Sequence, residues 1–299
     1  MEGRRFPRRP SMSVGGAIAA AVLTMTLAPC ATPAVERTIA FERSLPRGAA
    51  PHIWLMRADG SGLQRLFSGF RSDVRPKWSL DGTRLLFHAP SGLWISDAGG
   101  KHLTRVGPHA QEGAWAPGGD KIVLVGANTT RSCSDLYLFN LRTRRASRLT
   151  FTRTCEVDPA WSPRGGAIAF AVGSGDEAAI VVESPSGNNR RTIATGAVSS
   201  PAWSPDGRQL AYADGGSITV VDISDGSRRT IGVGSTSSDP VTVVDVTWSS
   251  DGSGFVFTRG GTSTYSGKYG TVICRMNADG SGIIQLTDRD ADRRPSVRP

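Results

Sequence analysis

Tryptophan recurs at a nearly fixed interval along this chain. Trp78, Trp115, Trp161, Trp203 and Trp248 are separated by 37, 46, 42 and 45 residues. One four-stranded propeller blade takes about 40–45 residues. The surrounding phrase recurs as well. Pro76-Lys77-Trp78-Ser79-Leu80-Asp81-Gly82, Pro159-Ala160-Trp161-Ser162-Pro163-Arg164-Gly165 and Pro201-Ala202-Trp203-Ser204-Pro205-Asp206-Gly207 are copies. Trp248-Ser249-Ser250-Asp251-Gly252 and Trp115-Ala116-Pro117-Gly118-Gly119 are looser ones.

Each phrase reads as a strand followed by a reversal. Pro presets φ, Asp offers a side-chain acceptor and Gly tolerates positive φ. Seven residues past each Trp stand Leu85, Ile122, Ile168, Leu210 and Phe255, and nine past stand Phe87, Leu124, Phe170, Tyr212 and Phe257. The two positions have equal parity, so they share one face of the next strand. The Trp supplies a large apolar area between adjacent sheets.

A second module follows each Trp module: an apolar strand, a Gly-rich turn and a closing strand near Leu-Thr. Leu93-Trp94-Ile95, Leu136-Tyr137-Leu138 and Val272-Ile273-Cys274 are such strands. His102-Leu103-Thr104 and Gln285-Leu286-Thr287 read as closing strands. A sixth second module, Ile53-Trp54-Leu55 with Ala58-Asp59-Gly60-Ser61-Gly62, precedes the first Trp, and Ile39-Ala40-Phe41 lies upstream of it. At the far end, Arg294-Pro295-Ser296-Val297 copies the start of a Trp module. The sequence therefore predicts an all-β fold, a six-bladed β-propeller of four-stranded antiparallel blades. Pairing of the N- and C-terminal strands completes one blade and removes an open sheet edge.

These phrases, with the Asn277-Ala278-Asp279-Gly280-Ser281-Gly282 turn, resemble the propeller repeats of the TolB family over roughly residues 37–299. The resemblance implies a six-bladed propeller in the bacterial cell envelope. TolB itself has an α/β domain before its propeller, and only about 36 residues precede the first strand here. The same repeats resemble the propellers of prolyl oligopeptidase-like enzymes, whose α/β-hydrolase domain this chain has no room for.

Residues 1–34 read as a signal peptide and 35–299 as the propeller. Arg4, Arg5, Arg8 and Arg9 form a basic region, and Val14 to Ala28 is an uncharged stretch of 15 residues, short for a membrane span. Two processing routes stand open: cleavage near Ala34, or lipidation of Cys30 in Leu27-Ala28-Pro29-Cys30. An exported location, periplasmic or extracellular, is expected, with any membrane attachment made through a lipid on Cys30. The net charge of +9 includes +3 from the signal region. The remaining arginines are scattered through repeat turns, so the sequence predicts no nucleic-acid partner. It predicts a monomer that binds an envelope protein or an anionic envelope polymer.

No Gly-x-Ser-x-Gly elbow, phosphate loop or metal-spaced pair among His52, His88, His102 and His109 occurs. The expectation is a chain with no catalytic set, metal or cofactor. Three residues before each Trp stand Arg75, Glu112, Asp158, Ser200 and Asp245, and Arg294 holds that place before Val297. Six-fold repetition should gather these into a binding ring at the channel mouth. The alternative use of the ring is a small-ligand receptor, or a hydrolase or lyase built on Glu112 and Asp158. Cys133 and Cys155 fall in loops that open on one face of an up-and-down blade, which predicts a disulfide. Cys274 should be a buried thiol. The long loops Gly126 to Asp135, Gly232 to Asp245 and Thr258 to Gly270 share that face.

Overall fold

The computed structural model describes residues 38–44, 49–107, 110–127, 133–234, 241–262, 269–288 and 291–299. The signal-peptide reading, Cys30, His109 and the centres of the three long loops lie outside the described residues.

Six four-stranded sheets form, each ordered from inner to outer strand. Blade 1 takes Asp292–Val297 as its inner strand, then Thr38–Arg43, His52–Arg57 and Gln64–Arg65. Blade 2 is Val74–Trp78, Arg84–Ala89, Gly92–Asp97 and Thr104–Gly107. Blade 3 is Ala110–Trp115, Lys121–Ala127, Ser134–Asn140 and Arg145–Arg148. Blade 4 is Glu156–Trp161, Ile168–Val172, Ala179–Glu183 and Arg191–Thr195. Blade 5 is Val198–Trp203, Gln209–Asp214, Ser217–Asp222 and Arg228–Gly232. Blade 6 is Thr242–Trp248, Gly254–Thr262, Tyr269–Asn277 and Ile284–Gln285. The predicted closure is present: Ile39 lies opposite Val297 and Arg43 opposite Asp292.

The core lies between blades rather than within one. Buried residues fall into six apolar clusters among the described residues, and these bridge neighbouring sheets. Phe41, Phe87, Phe170 and Phe257, in blades 1, 2, 4 and 6, are fully buried. The Trp side chains join blades by hydrogen bonds too. Trp115 Nε1 donates to Lys77 O at 3.0 Å, Trp203 to Ala160 O at 3.1 Å and Trp248 to Ala202 O at 3.1 Å. Trp161 departs from this and donates to Gly165 O in its own turn.

The Asp-Gly reversals are architecture. Asp81 Oδ1 accepts from Ser79 Oγ (2.5 Å), Thr83 N (3.0 Å) and Thr83 Oγ1 (2.8 Å). Asp206 and Asp251 repeat the arrangement. These donors hold the Asp81 carboxyl at about 2, below its ordinary 3.8. A depressed folded-state value means that the stabilisation is present above pH 3.8 and is lost as pH falls through about 2. Asp81→Ala should cost about 1 kcal/mol at neutral pH, discounted for exposure. Chemical denaturation across that acid window should show the gap from wild type closing; a gap constant with pH would refute the assignment.

Both closing strands named from the sequence differ from expectation: blade 6's outer strand is Ile284–Gln285, so Leu286 and Thr287 fall outside it. His102 has a φ of 52° and is exposed, so blade 2's outer strand begins only at Thr104.

Candidate functional site at the channel mouth

Inner strands begin on the face where third-to-outer hairpins are absent, so that face carries the channel mouth. In all six blades the pairing of inner and second strand slips by one residue near this end. A bulge of this kind takes a residue out of the ladder and re-aims its side chain. In four blades that residue is left-handed: Arg75 (φ 58°), Asp158 (φ 51°), Ser200 (φ 50°) and Arg294 (φ 55°). Each is followed by proline, Pro76, Pro159, Pro201 and Pro295, which has no N–H to give the ladder. Glu112 and Asp245 instead stay in the ladder, opposite Val125 and Thr258, and keep ordinary φ. A left-handed non-glycine residue costs about 1–2 kcal/mol, so the ring is held by surrounding structure.

All six predicted residues line one cavity, joined by Lys77. Arg75 Nη1 pairs with Glu112 Oε2, and Arg294 Nη1 lies 3.7 Å from the same oxygen. Arg294 Nε lies 3.4 Å from Glu42 Oε1, which also accepts from Arg75 N at 2.7 Å. Asp245 Oδ2 accepts from Arg294 N at 3.2 Å, and Ser200 Oγ donates to Val244 O at 3.1 Å. The ring is therefore cross-tied from blade 1 to blade 3 and from blade 5 to blade 1. Glu112 is 4% exposed, and its Oε1 has no protein partner.

Two contributors escaped the sequence reading. Glu42 lies on the second strand of blade 1, outside the ring position, and reaches the mouth only because the chain ends pair. Burial raises its pKa against the opposing pull of Arg294. Lys77 occupies the place taken elsewhere by Ala114, Ala160, Ala202, Thr247 and Ser296. It is reached by water yet ringed by protein, and desolvation lowers its pKa while Asp158 and Asp245 oppose the shift. Its size against five small counterparts was a readable signal.

The cavity measures about 30 Å³, room for about two waters. Small-molecule pockets run to about 300–1,000 Å³. Among the described residues no three His, Cys, Asp or Glu side chains gather as a metal cluster.

The same face carries the Cys133–Cys155 disulfide, with Cα atoms 4.7 Å apart. Beside it Ser134 Oγ donates to Glu156 O at 2.8 Å. Phe151, in the adjoining loop, is 71% exposed, and the Arg148 guanidinium lies 4.7 Å from its ring. Arg148 is anchored in turn by Asp135 at 2.8 Å. Val244, beside Ser200, is also exposed.

Solved structures of low identity share the fold. TolB from Acinetobacter baumannii aligns with a TM-score of 0.70 at 17% identity, over 88% of this chain and 67% of that one. A chain of a nidogen/laminin complex aligns with a TM-score of 0.67 at 12% identity, over 88% of this chain and 98% of that one. An oligogalacturonate lyase in complex with manganese aligns at 0.58 and 16% identity, over 81% and 72%. Such likeness shows the fold alone, and one fold hosts many functions. No curated protein matches the chain. The family model described as TolB beta propeller domain matches residues 94–243, half of the sequence. With six blades of the expected topology, the chain belongs to the TolB beta-propeller domain family.

Proposed function

We propose that the chain is an exported envelope protein whose propeller holds another protein on the channel-mouth face. The carrying observation is Phe151, exposed in solvent and backed by Arg148 on a loop tied down by the disulfide. An aromatic held rigid beside arginine is the composition of an interface anchor. The Arg75, Asp158, Ser200 and Arg294 ring provides polar register around it, while a cavity of about 30 Å³ supports surface binding over ligand capture. The signal-like residues 1–34 and the envelope setting that the family resemblance implies support export.

A photo-crosslinker placed at 151 or 244 in the exported protein should give one discrete adduct in envelope preparations. The same label at Arg275, on the outer side of blade 6, should give none. Asp158→Asn, which keeps the left-handed backbone accessible, should reduce the adduct at 151 severalfold while the protein still folds. Absence of any adduct at both face positions would defeat the proposal.

A further inference from the structure

The propeller's outer rim is electrically lopsided. The third-to-outer hairpins of blades 3, 4 and 5 (140–148, 183–191 and 222–229) carry eight arginines against three carboxylates. The matching segments of blades 1, 2 and 6 (57–65, 97–105 and 275–285) carry five Lys or Arg against three carboxylates. That second half also exposes Leu63, Leu103, Ile283 and Ile284, whereas the arginine half exposes no large apolar side chain in its hairpins among the described residues.

Two of the eight arginines are neutralised, Arg148 by Asp135 and Arg190 by Glu183. The other six, Arg142, Arg144, Arg145, Arg191, Arg228 and Arg229, make no ion pair among the described residues. Four are aimed by backbone carbonyls of the neighbouring blade. Arg144 Nη2 donates to Arg105 O at 2.9 Å, Arg191 Nη2 to Ile223 O at 3.0 Å and Arg228 Nη2 to Ile193 O at 2.5 Å; Arg229 donates to Ala278 O. Each bond uses one of a guanidinium's five N–H donors, so position is fixed while most of the recognition fork stays available.

An open groove of about 310 Å³ between blades 4 and 5 joins this rim. Thr192, Thr195, Asp214 and Arg228 line it, with Tyr212 buried at its floor, 2% exposed. Tyr212 stands where blades 1, 2, 4 and 6 have phenylalanine. Its hydroxyl meets Thr219 and Arg228, and Thr219 Oγ1 donates to Asp214 Oδ2 at 3.0 Å. One blade interface thus has a hydroxyl, a carboxylate and a guanidinium where the repeat elsewhere has an apolar side chain.

We propose that this half of the rim binds a linear acidic polysaccharide, with one sugar seated at Asp214 and Arg228 and the acid groups of its neighbours met by the rim arginines. Arginine forks match carboxylates bidentately. A compact anion would meet only one arginine pair, whereas these six are spread over three adjacent blades. Single-stranded nucleic acid calls for exposed aromatic platforms, and the hairpins have none among the described residues. A membrane surface calls for apolar side chains that insert, and those lie on the other half. The inference shares the envelope setting proposed above but uses a surface away from the channel mouth.

Labelled alginate oligosaccharides, titrated into the mature protein, should bind, and neutral dextran should not. Affinity should fall about tenfold or more between about 50 and about 200 mM salt. Arg142→Glu with Arg145→Glu should weaken binding about tenfold, with Tm unchanged because neither side chain makes a hydrogen bond to the fold. Tyr212→Phe restores the residue of four other blades, so it should fold, and by releasing Arg228 from the tyrosine hydroxyl it should weaken binding about fivefold. Arg275→Glu should leave binding unchanged. The proposal is overturned if alginate binds no better than dextran, or if the double charge reversal has no effect. Tighter binding to phosphatidylglycerol vesicles or to single-stranded DNA than to alginate overturns it as well. Crosslinking from position 151 should persist in the rim variants, so the two surfaces can fail separately.

Discussion

Removing residues 292–299 should destroy the cooperative fold of the whole ring. The inner strand of blade 1 would be lost, and Thr38–Arg43 would become an unpaired edge bearing Ile39, Ala40 and Phe41, all now at 0–1% exposure. An apolar open edge is a template for association. Electrostatics compound the loss. Arg43 Nε and Nη2 reach Asp292 Oδ1 and Oδ2 at 2.7 and 2.6 Å, with the two side chains 2% and 0% exposed. Stripping one partner from such a buried pair costs about 3–5 kcal/mol, against about 5–15 kcal/mol for a whole domain. The deletion also frees Trp78, whose backbone N–H donates to Ser296 Oγ at 3.1 Å and whose ring lies 5.3 Å from the Arg298 guanidinium. Asp292→Ala alone should therefore lower stability by several kcal/mol, and the deletion should yield aggregated or non-cooperatively melting protein. A soluble monomer melting within a few degrees of wild type would show that the ring does not need its closing strand.

Blade number, strand order and closure were readable because each rests on local chemistry repeated at a fixed interval. Trp-Ser-Pro-Asp-Gly makes its own turn, and the apolar positions seven and nine residues on choose their face without help from elsewhere. The ring was readable for the same reason, since Arg75, Glu112, Asp158, Ser200, Asp245 and Arg294 hold one repeat position and line one cavity. Its backbone was not foreseen. The left-handed conformation depends on a bulge, and a bulge is a property of two strands; the hint lay in proline after four of the six residues. Contacts that cross the repeat were invisible. Glu42 enters the ring, and Arg43 meets Asp292, across a sequence gap of 249 residues. The rim arginines look scattered in sequence because a stripe across three blades returns only once per repeat. Tyr212 carried a signal of a different kind, a hydroxyl breaking an otherwise apolar column.

Loss of the Cys133–Cys155 bond should lower stability by about 3 kcal/mol while leaving the blades assembled. The bond spans 22 residues, and closing a loop of that length limits the unfolded chain by roughly that amount in the entropic account. It joins the loop before blade 3's third strand to the start of blade 4, a seam also held by Ser134 Oγ on Glu156 O and by the apolar cluster around Trp161 and Phe170. Those contacts survive reduction, so the seam should loosen rather than part. Glu156, wholly buried and with its pKa raised by desolvation, accepts from Thr150 Oγ1 at 3.1 Å and from Thr152 Oγ1. The remaining thiol cannot easily rescue the bond by exchange. Cys274 is 1% exposed on blade 6, and burial pushes its pKa up to about 11, leaving little thiolate to attack a disulfide. Cys133→Ser with Cys155→Ser should therefore lower Tm by several degrees and weaken the crosslink from position 151, because Phe151 sits on the loop that the bond tethers. Alkylation of the native oxidised protein should modify none of these three cysteines, and mild reduction should expose Cys133 and Cys155 while sparing Cys274. Labelling of Cys274 before the protein unfolds, or an unchanged Tm in the double serine variant, would contradict this account.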